Sequence, residues 1–216
     1  MSQPVKNYTK PLISPNLSGL SHLISQQVKK NTPLCIVVTN NSQVNRLAEE
    51  LTGLLPQDAC RIRKLPDIET LPYDMTQPHP ALLSERMETF YALTQEKAPI
   101  VITSIPAWTI RTPCPQFFQD NCLFLQVGDE LKIEDFRANM QKRNYQFVRE
   151  VHEVHEFSIK GSIIDLFPTG SKNAFRVELF DNEVDSIRYL DVETQRSQKT
   201  LPNIRILPAQ QYQPGQ

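Results

Sequence analysis

Glycine is scarce in this chain, with six among 216 residues. A phosphate cradle places glycines where backbone amides converge on an anion, and the string GxxxxGK[ST] occurs nowhere. The nearest remnant is Leu17-Ser18-Gly19-Leu20-Ser21-His22, which opens a helical pattern with one glycine and no lysine. No bound nucleotide or other cofactor is therefore expected on this chain. Long apolar runs are missing too: none approaches the roughly 18–20 residues that a bilayer crossing takes. Met1–Lys10 is polar and lacks the apolar stretch of a secretion signal. The expectation is a soluble, cytoplasmic protein with no membrane contact. The cysteines Cys35, Cys60, Cys114 and Cys122 form no CxxC pair, which predicts buried free thiols in a reducing compartment. An excess of positive charge is also lacking. Residues 1–122 hold 11 Lys+Arg against 10 Asp+Glu, and residues 123–216 hold 12 against 14. Proteins that rely on phosphate contacts usually show a basic face, so the balance speaks against nucleic acid as the main partner.

Catalytic patterns are equally thin. His152-Glu153-Val154-His155-Glu156 brings two histidines close together, but their spacing is three, whereas HExxH needs four to set both on one helix face. The flanking residues read as strand or loop, where positions 152 and 155 point apart. No metal is expected there. No serine stands in GxSxG. Asp165, between Ile164 and Leu166, is a carboxylate on an apolar strand; a buried general acid or base is one reading, and bonding to local backbone or an outward turn to solvent is the favoured one. Trp108, the single tryptophan, reads as a packing residue rather than a base-stacking platform.

What is present is a layered hydrophobic pattern. Leu17 to about Val28 suits a helix. Leu34-Cys35-Ile36-Val37-Val38 reads as a strand buried on both faces. Asn40, Asn41 or Ser42 can cap the helix that follows, marked by Val44, Leu47, Leu51, Leu54 and Leu55 and ended by Pro56. Ile62–Leu65 and Ile100–Thr103 supply further strands around a helix carrying Leu83, Met87, Phe90 and Tyr91. Beyond Pro113-Cys114-Pro115 the signals change. A strand over Leu123–Val127 and a helix with Leu131, Phe136 and Met140 precede strands at Gln146–Val151, Phe157–Lys160, Ser162–Phe167, Phe175–Phe180, Asp185–Leu190 and Asn203–Leu207. Phe175, Val177 and Leu179 alternate with Arg176, Glu178 and Phe180, a half-buried strand pattern. The expected organisation is a lead-in over 1–16, an α/β parallel-sheet domain over 17–120, a smaller α+β domain with an antiparallel sheet over 121–210, and a linker beginning at 211–216.

Two stretches resemble a known family. One runs Leu65-Pro66-Asp67-Ile68-Glu69-Thr70-Leu71-Pro72-Tyr73-Asp74, through Gln77-Pro78-His79 to Ser84-Glu85-Arg86. The other runs Lys160-Gly161-Ser162-Ile163-Ile164-Asp165-Leu166-Phe167-Pro168 and resumes at Phe175 through Arg188. Together they resemble the amino-terminal region of the bacterial transcription-repair coupling factors (Mfd), a region that is itself similar to the damage-recognition protein UvrB. The alternative is a UvrB-like DNA-damage-binding module of an excinuclease. Two departures favour the coupling factors: the Walker lysine is absent, and only Asp74–Gln77 separates Tyr73 from Pro78, where UvrB-like proteins insert an aromatic hairpin. The resemblance implies a degenerate RecA/helicase-like ATPase fold followed by a domain that docks UvrA. It also implies that ATP and magnesium, RNA polymerase and double-stranded DNA belong to a remainder not contained in this chain. The implied protein-binding residues are Arg176, Glu178 and Phe180 on one strand face, with Lys160 standing where the family usually carries arginine.

Overall fold

The computed structural model describes residues 16–28, 32–55, 61–69 and 78–211. The stretch Thr70–Gln77, and with it part of the first family-like string, lies outside the described residues, as does Cys60. The described residues open with helix α1 (Leu17–Gln27), strand β1 (Leu34–Val38), helix α2 (Asn41–Leu54), strand β2 (Arg61–Leu65), helix α3 (Pro80–Gln95) and strand β3 (Pro99–Ser104). The strands form a parallel sheet in the order β1-β3-β2. Asn40 caps α2, its side chain accepting from the Gln43 amide at 3.0 Å. The helical period then lays Val44, Leu47 and Leu51 onto Ile100 and Ile102 of β3, with Leu17 and Ile24 of α1 packed outside them. The opposite face of β3 packs Val101 against Met87 and Phe90 of α3.

β3 is buried along its whole length, as its apolar run predicts. β1 is not, although its sequence reads the same way. Cys35 and Val37 are exposed, because β1 is the edge of the sheet and α2 covers only its other face. The buried-thiol reading fails at Cys35 for the same reason, and Cys114, at the start of α5, is exposed and Cys122, at its end, half-buried. Two short helices that begin beside proline, α4 (Ile105–Thr109) and α5 (Pro115–Asn121), follow β3. Trp108 on α4 is 61% exposed, and lines a groove of about 650 Å³ with Leu93, Phe90 and Ile110 rather than filling a core.

The rest of the chain is β4 (Leu123–Gln126), α6 (Ile133–Lys142), β5 (Gln146–Phe147), β6 (Glu156–Lys160), β7 (Ile163–Leu166), β8 (Ala174–Phe180), β9 (Glu183–Leu190), β10 (Ser197–Leu201) and β11 (Asn203–Ile206). Six of these strands form one sheet in the order β10-β9-β8-β7-β6-β5. It is an antiparallel meander except at its end, where the two-residue β5 runs parallel to β6. The strand expected over Gln146–Val151 is therefore only its first two residues. Phe136 and Met140 of α6 close one sheet face over Phe157, Ile164, Leu166, Val177 and Ile187. β11 turns back to pair with β4.

β4 and β11 form a two-stranded sheet of their own, and contacts tie this second half of the chain to the parallel sheet. Leu207 packs with Leu65, Met87 and Phe90. The Gly170 amide donates to Ser84 Oγ at 2.8 Å, and Arg205 pairs with Glu88 of α3. The buried Tyr145 hydroxyl donates to the Leu207 carbonyl at 2.7 Å and accepts from the Thr169 amide at 2.8 Å. Burial pushes its pKa up to about 12, so it stays a neutral donor.

Candidate protein-docking face

β8 alternates as its sequence requires. Phe175, Val177 and Leu179 enter the core, while Arg176, Glu178 and Phe180 take the other face. Antiparallel register then sets their neighbours. One row across the sheet reads Ser158, Asp165, Arg176, Arg188. The next reads Lys160, Ile163, Glu178, Ser186. All four residues singled out for protein binding thus lie on one face of one sheet, but they are not equally available.

Arg176 is committed inward. Its Nε donates to Asp165 Oδ1 at 2.7 Å and its Nη2 to Oδ2 at 2.8 Å, the two-pronged geometry of a guanidinium on a carboxylate. Asp165 is buried and the Arg176 side chain is 18% exposed. Nη1 reaches the Gln195 carbonyl at 3.3 Å. The hydrogen bond to Asp165 raises the Arg176 pKa further. Asp165 is thus neither backbone-bonded nor turned to solvent, as its position alone suggested. It is the buried half of an ion pair whose partner lies eleven residues on. The β7–β8 register makes the pair, and that register was not readable from either strand alone.

Glu178 is half-buried, accepting from Ser186 Oγ at 3.1 Å and lying 3.6 Å from the Arg188 guanidinium. Lys160 stands 3.8 Å from Glu150, with about half of its side chain exposed. Phe180 differs from all three. It ends β8 opposite Glu183, and 72% of its surface is open to solvent.

The other sequence candidates fall elsewhere. Gly19 lies inside α1, ahead of the first strand among the described residues, whereas a phosphate loop joins a strand to the helix after it. The turn in that position is Thr39–Ser42, between β1 and α2. There Gln43 Oε1 accepts from the Thr39 amide at 3.1 Å while Asn40 accepts from Gln43. Asn41 turns to Asp67, accepting from its amide at 2.7 Å. The helix start is closed by the chain's own side chains. His152 and His155 sit in the turn before β6, not in a strand. His155 is buried with φ +75°, its ring edge-on to Tyr145 at 6.0 Å, and burial lowers its pKa to about 4. Among the described residues no group of three His, Cys, Asp or Glu side chains is placed to hold a metal ion. Nor is any helix among them long and apolar enough to cross a membrane.

Residues 123–212, which include every strand of the six-stranded sheet, match the family model of the UvrB interaction domain. This segment is similar to the UvrB interaction domain family. Over most of its length the chain is also similar to curated transcription-repair-coupling factors. It is 37% identical to that of Haemophilus influenzae over 190 residues, covering 88% of this chain and 16% of the relative. It is 31% identical to that of Escherichia coli over 181 residues, 83% of this chain and 15% of the relative. It is 32% identical to that of Bacillus subtilis over 181 residues, 84% and 15%. The family resemblance read from the residues is borne out, and the chain spans about a sixth of the length of these relatives. Arg176, Glu178, Phe180 and Lys160 all fall within the UvrB interaction domain, on the sheet face turned away from α6.

Proposed function

We propose that this chain is a docking module of transcription-coupled DNA repair, and that residues 121–210 bind UvrA through the outer face of β8. The observation that carries the reading is Phe180. An apolar ring ends a polar strand face, 72% exposed, on a sheet assigned to an interaction-domain family. Aromatic side chains, phenylalanine among them, are enriched at protein interfaces relative to the rest of the surface. Around it Glu178 and Lys160 supply polar groups that set register rather than affinity. Arg176 holds the strand and offers its remaining edge.

In this reading the chain carries no catalytic step and binds no nucleotide. Residues 17–120 form an ATPase-like layer whose phosphate turn is filled by Thr39, Asn40 and Gln43. RNA polymerase, double-stranded DNA, ATP and magnesium are engaged by other parts of the longer protein, in the cytoplasm. Titration of purified UvrA with the 216-residue chain tests the proposal directly. A saturable complex is expected, and no heat or shift at tens of micromolar would contradict it.

A further inference from the structure

We infer that the tip of the β8–β9 hairpin is a plug for a cationic socket: UvrA receives Phe180 in an apolar recess rimmed by lysine or arginine. This rests on the docking reading above and adds the chemistry of the partner's surface.

The tip is built to hold its shape. Asp181 and Asn182 form the two-residue turn with φ +47° and +67°, the left-handed pair that matches the twist of a hairpin. A bulge between the pairs Glu178–Ser186 and Leu179–Val184 leaves Asp185 unpaired on β9. The loop before α6 then laces along the hairpin. Gly128 donates to the Val184 carbonyl at 2.8 Å and Val184 to the Asp129 carbonyl at 2.9 Å. Leu131 donates to the Asn182 carbonyl at 2.6 Å, and Glu130 bridges to Glu183. Phe180 is therefore presented on a braced end, so little ordering entropy is lost when it docks.

That end is acidic. Asp181, Glu183, Asp185 and Glu130 are all exposed, and none is part of an ion pair among the described residues. The cations closest in register are already occupied: Arg188 lies 3.6 Å from Glu178 and Lys160 3.8 Å from Glu150. Within 127–132, Lys132 is the one cation. Carboxylates without counter-charges around an exposed ring repel phosphate backbones and anionic surfaces. They are attracted by a partner whose rim is positive, and such long-range attraction speeds encounter.

The test measures UvrA affinity and association rate for the 216-residue chain from low to high salt. It compares the wild type with the neutralised variant Asp181→Asn/Glu183→Gln/Asp185→Asn, in which Asn keeps the left-handed turn. Wild-type affinity should fall steeply with salt. The neutralised variant should bind about tenfold more weakly at low salt, mostly through slower association, and lose most of the salt slope. A flat salt dependence of the wild type overturns the inference without need of any variant. So does a neutralised variant that binds as tightly as the wild type or tighter. In those cases the docking reading survives, because a complex still forms. If the wild type forms no complex with UvrA at all, both fall together.

Discussion

Asp165 and Arg176 face each other across β7 and β8 and share two hydrogen bonds of 2.7 and 2.8 Å, with the carboxylate buried. The pair joins the centre of the six-stranded sheet on the face that would meet a partner, so stability and recognition are coupled at this point. Removing the guanidinium leaves an uncompensated charge in a place water reaches poorly. Arg176→Ala should destabilise the chain by about 3 kcal/mol, the lower range for breaking a buried pair. Arg176→Lys should recover part of this, since an ammonium lacks the planar fork. Asp165→Ala combined with Arg176→Ala should cost less than the two single losses added together, the signature of direct coupling. Urea unfolding of the wild type and the four variants measures all of this. Additive losses would show that the pair contributes nothing as a pair. A weaker complex in Arg176→Ala therefore reports on the fold as much as on contact.

Gly170 tests the seam between the two halves of the chain. Its φ is +78°, and a Cβ there would come within 2.6 Å of Glu88 Oε2 and 3.2 Å of Leu207. Gly128, at φ +93°, has open space around it. Both Gly→Ala changes pay the left-handed strain of roughly 1–2 kcal/mol. Gly170→Ala should lose about 1 kcal/mol more, because Glu88 must also move off its contact. Equal losses in denaturant melts of the two variants would mean that the seam yields without cost.

His155 gives the chain an acid-side instability. Burial lowers its folded pKa to about 4 from an ordinary value near 6.5, and its Nε2 has no hydrogen-bond partner among the described residues. The unfolded chain therefore takes up the proton first. Stability from this residue is complete above about pH 6.5 and is lost as the pH falls towards 4, by on the order of 3 kcal/mol. His155→Asn suits the positive φ and does not titrate. Its unfolding free energy should fall less steeply between pH 6.5 and 4 than that of the wild type. Parallel pH slopes for the two proteins would assign the acid sensitivity to other groups.

Much of this architecture is legible in the residues, and the failures have a common cause. α2 follows from the Asn40 cap and the spacing of Val44, Leu47 and Leu51. β8 follows from the alternation of Phe175, Val177 and Leu179, which also marks Phe180 as an apolar residue on the polar side. Properties that depend on which strands become neighbours are not written locally. β1 and β3 have similar strings, yet only β3 lies at the sheet's centre. Asp165 and Arg176 meet only once the β7–β8 register is set. β10, with Lys199 and no alternation, carries the polar signature of an edge strand and little signal of being a strand at all. Gly19 drew attention as a glycine at a helix start, but the phosphate turn of such a fold follows a strand, and here that turn holds Asn40, Asn41 and Ser42 instead.

The central claim is that Phe180 anchors UvrA. Because 72% of the ring is exposed, Phe180→Ala should leave the melting temperature almost unchanged, as surface substitutions shift stability by about 0.5 kcal/mol or less. Its affinity for UvrA should nevertheless drop by about 2 kcal/mol, roughly thirtyfold in Kd, on the scale of an interface anchor. Calorimetric titration of UvrA with wild type and Phe180→Ala, each checked by a thermal melt on the same sample, is the direct measurement. A thirtyfold loss with an intact fold is the predicted result. An unchanged Kd would contradict the account and remove the outer face of β8 from the interface.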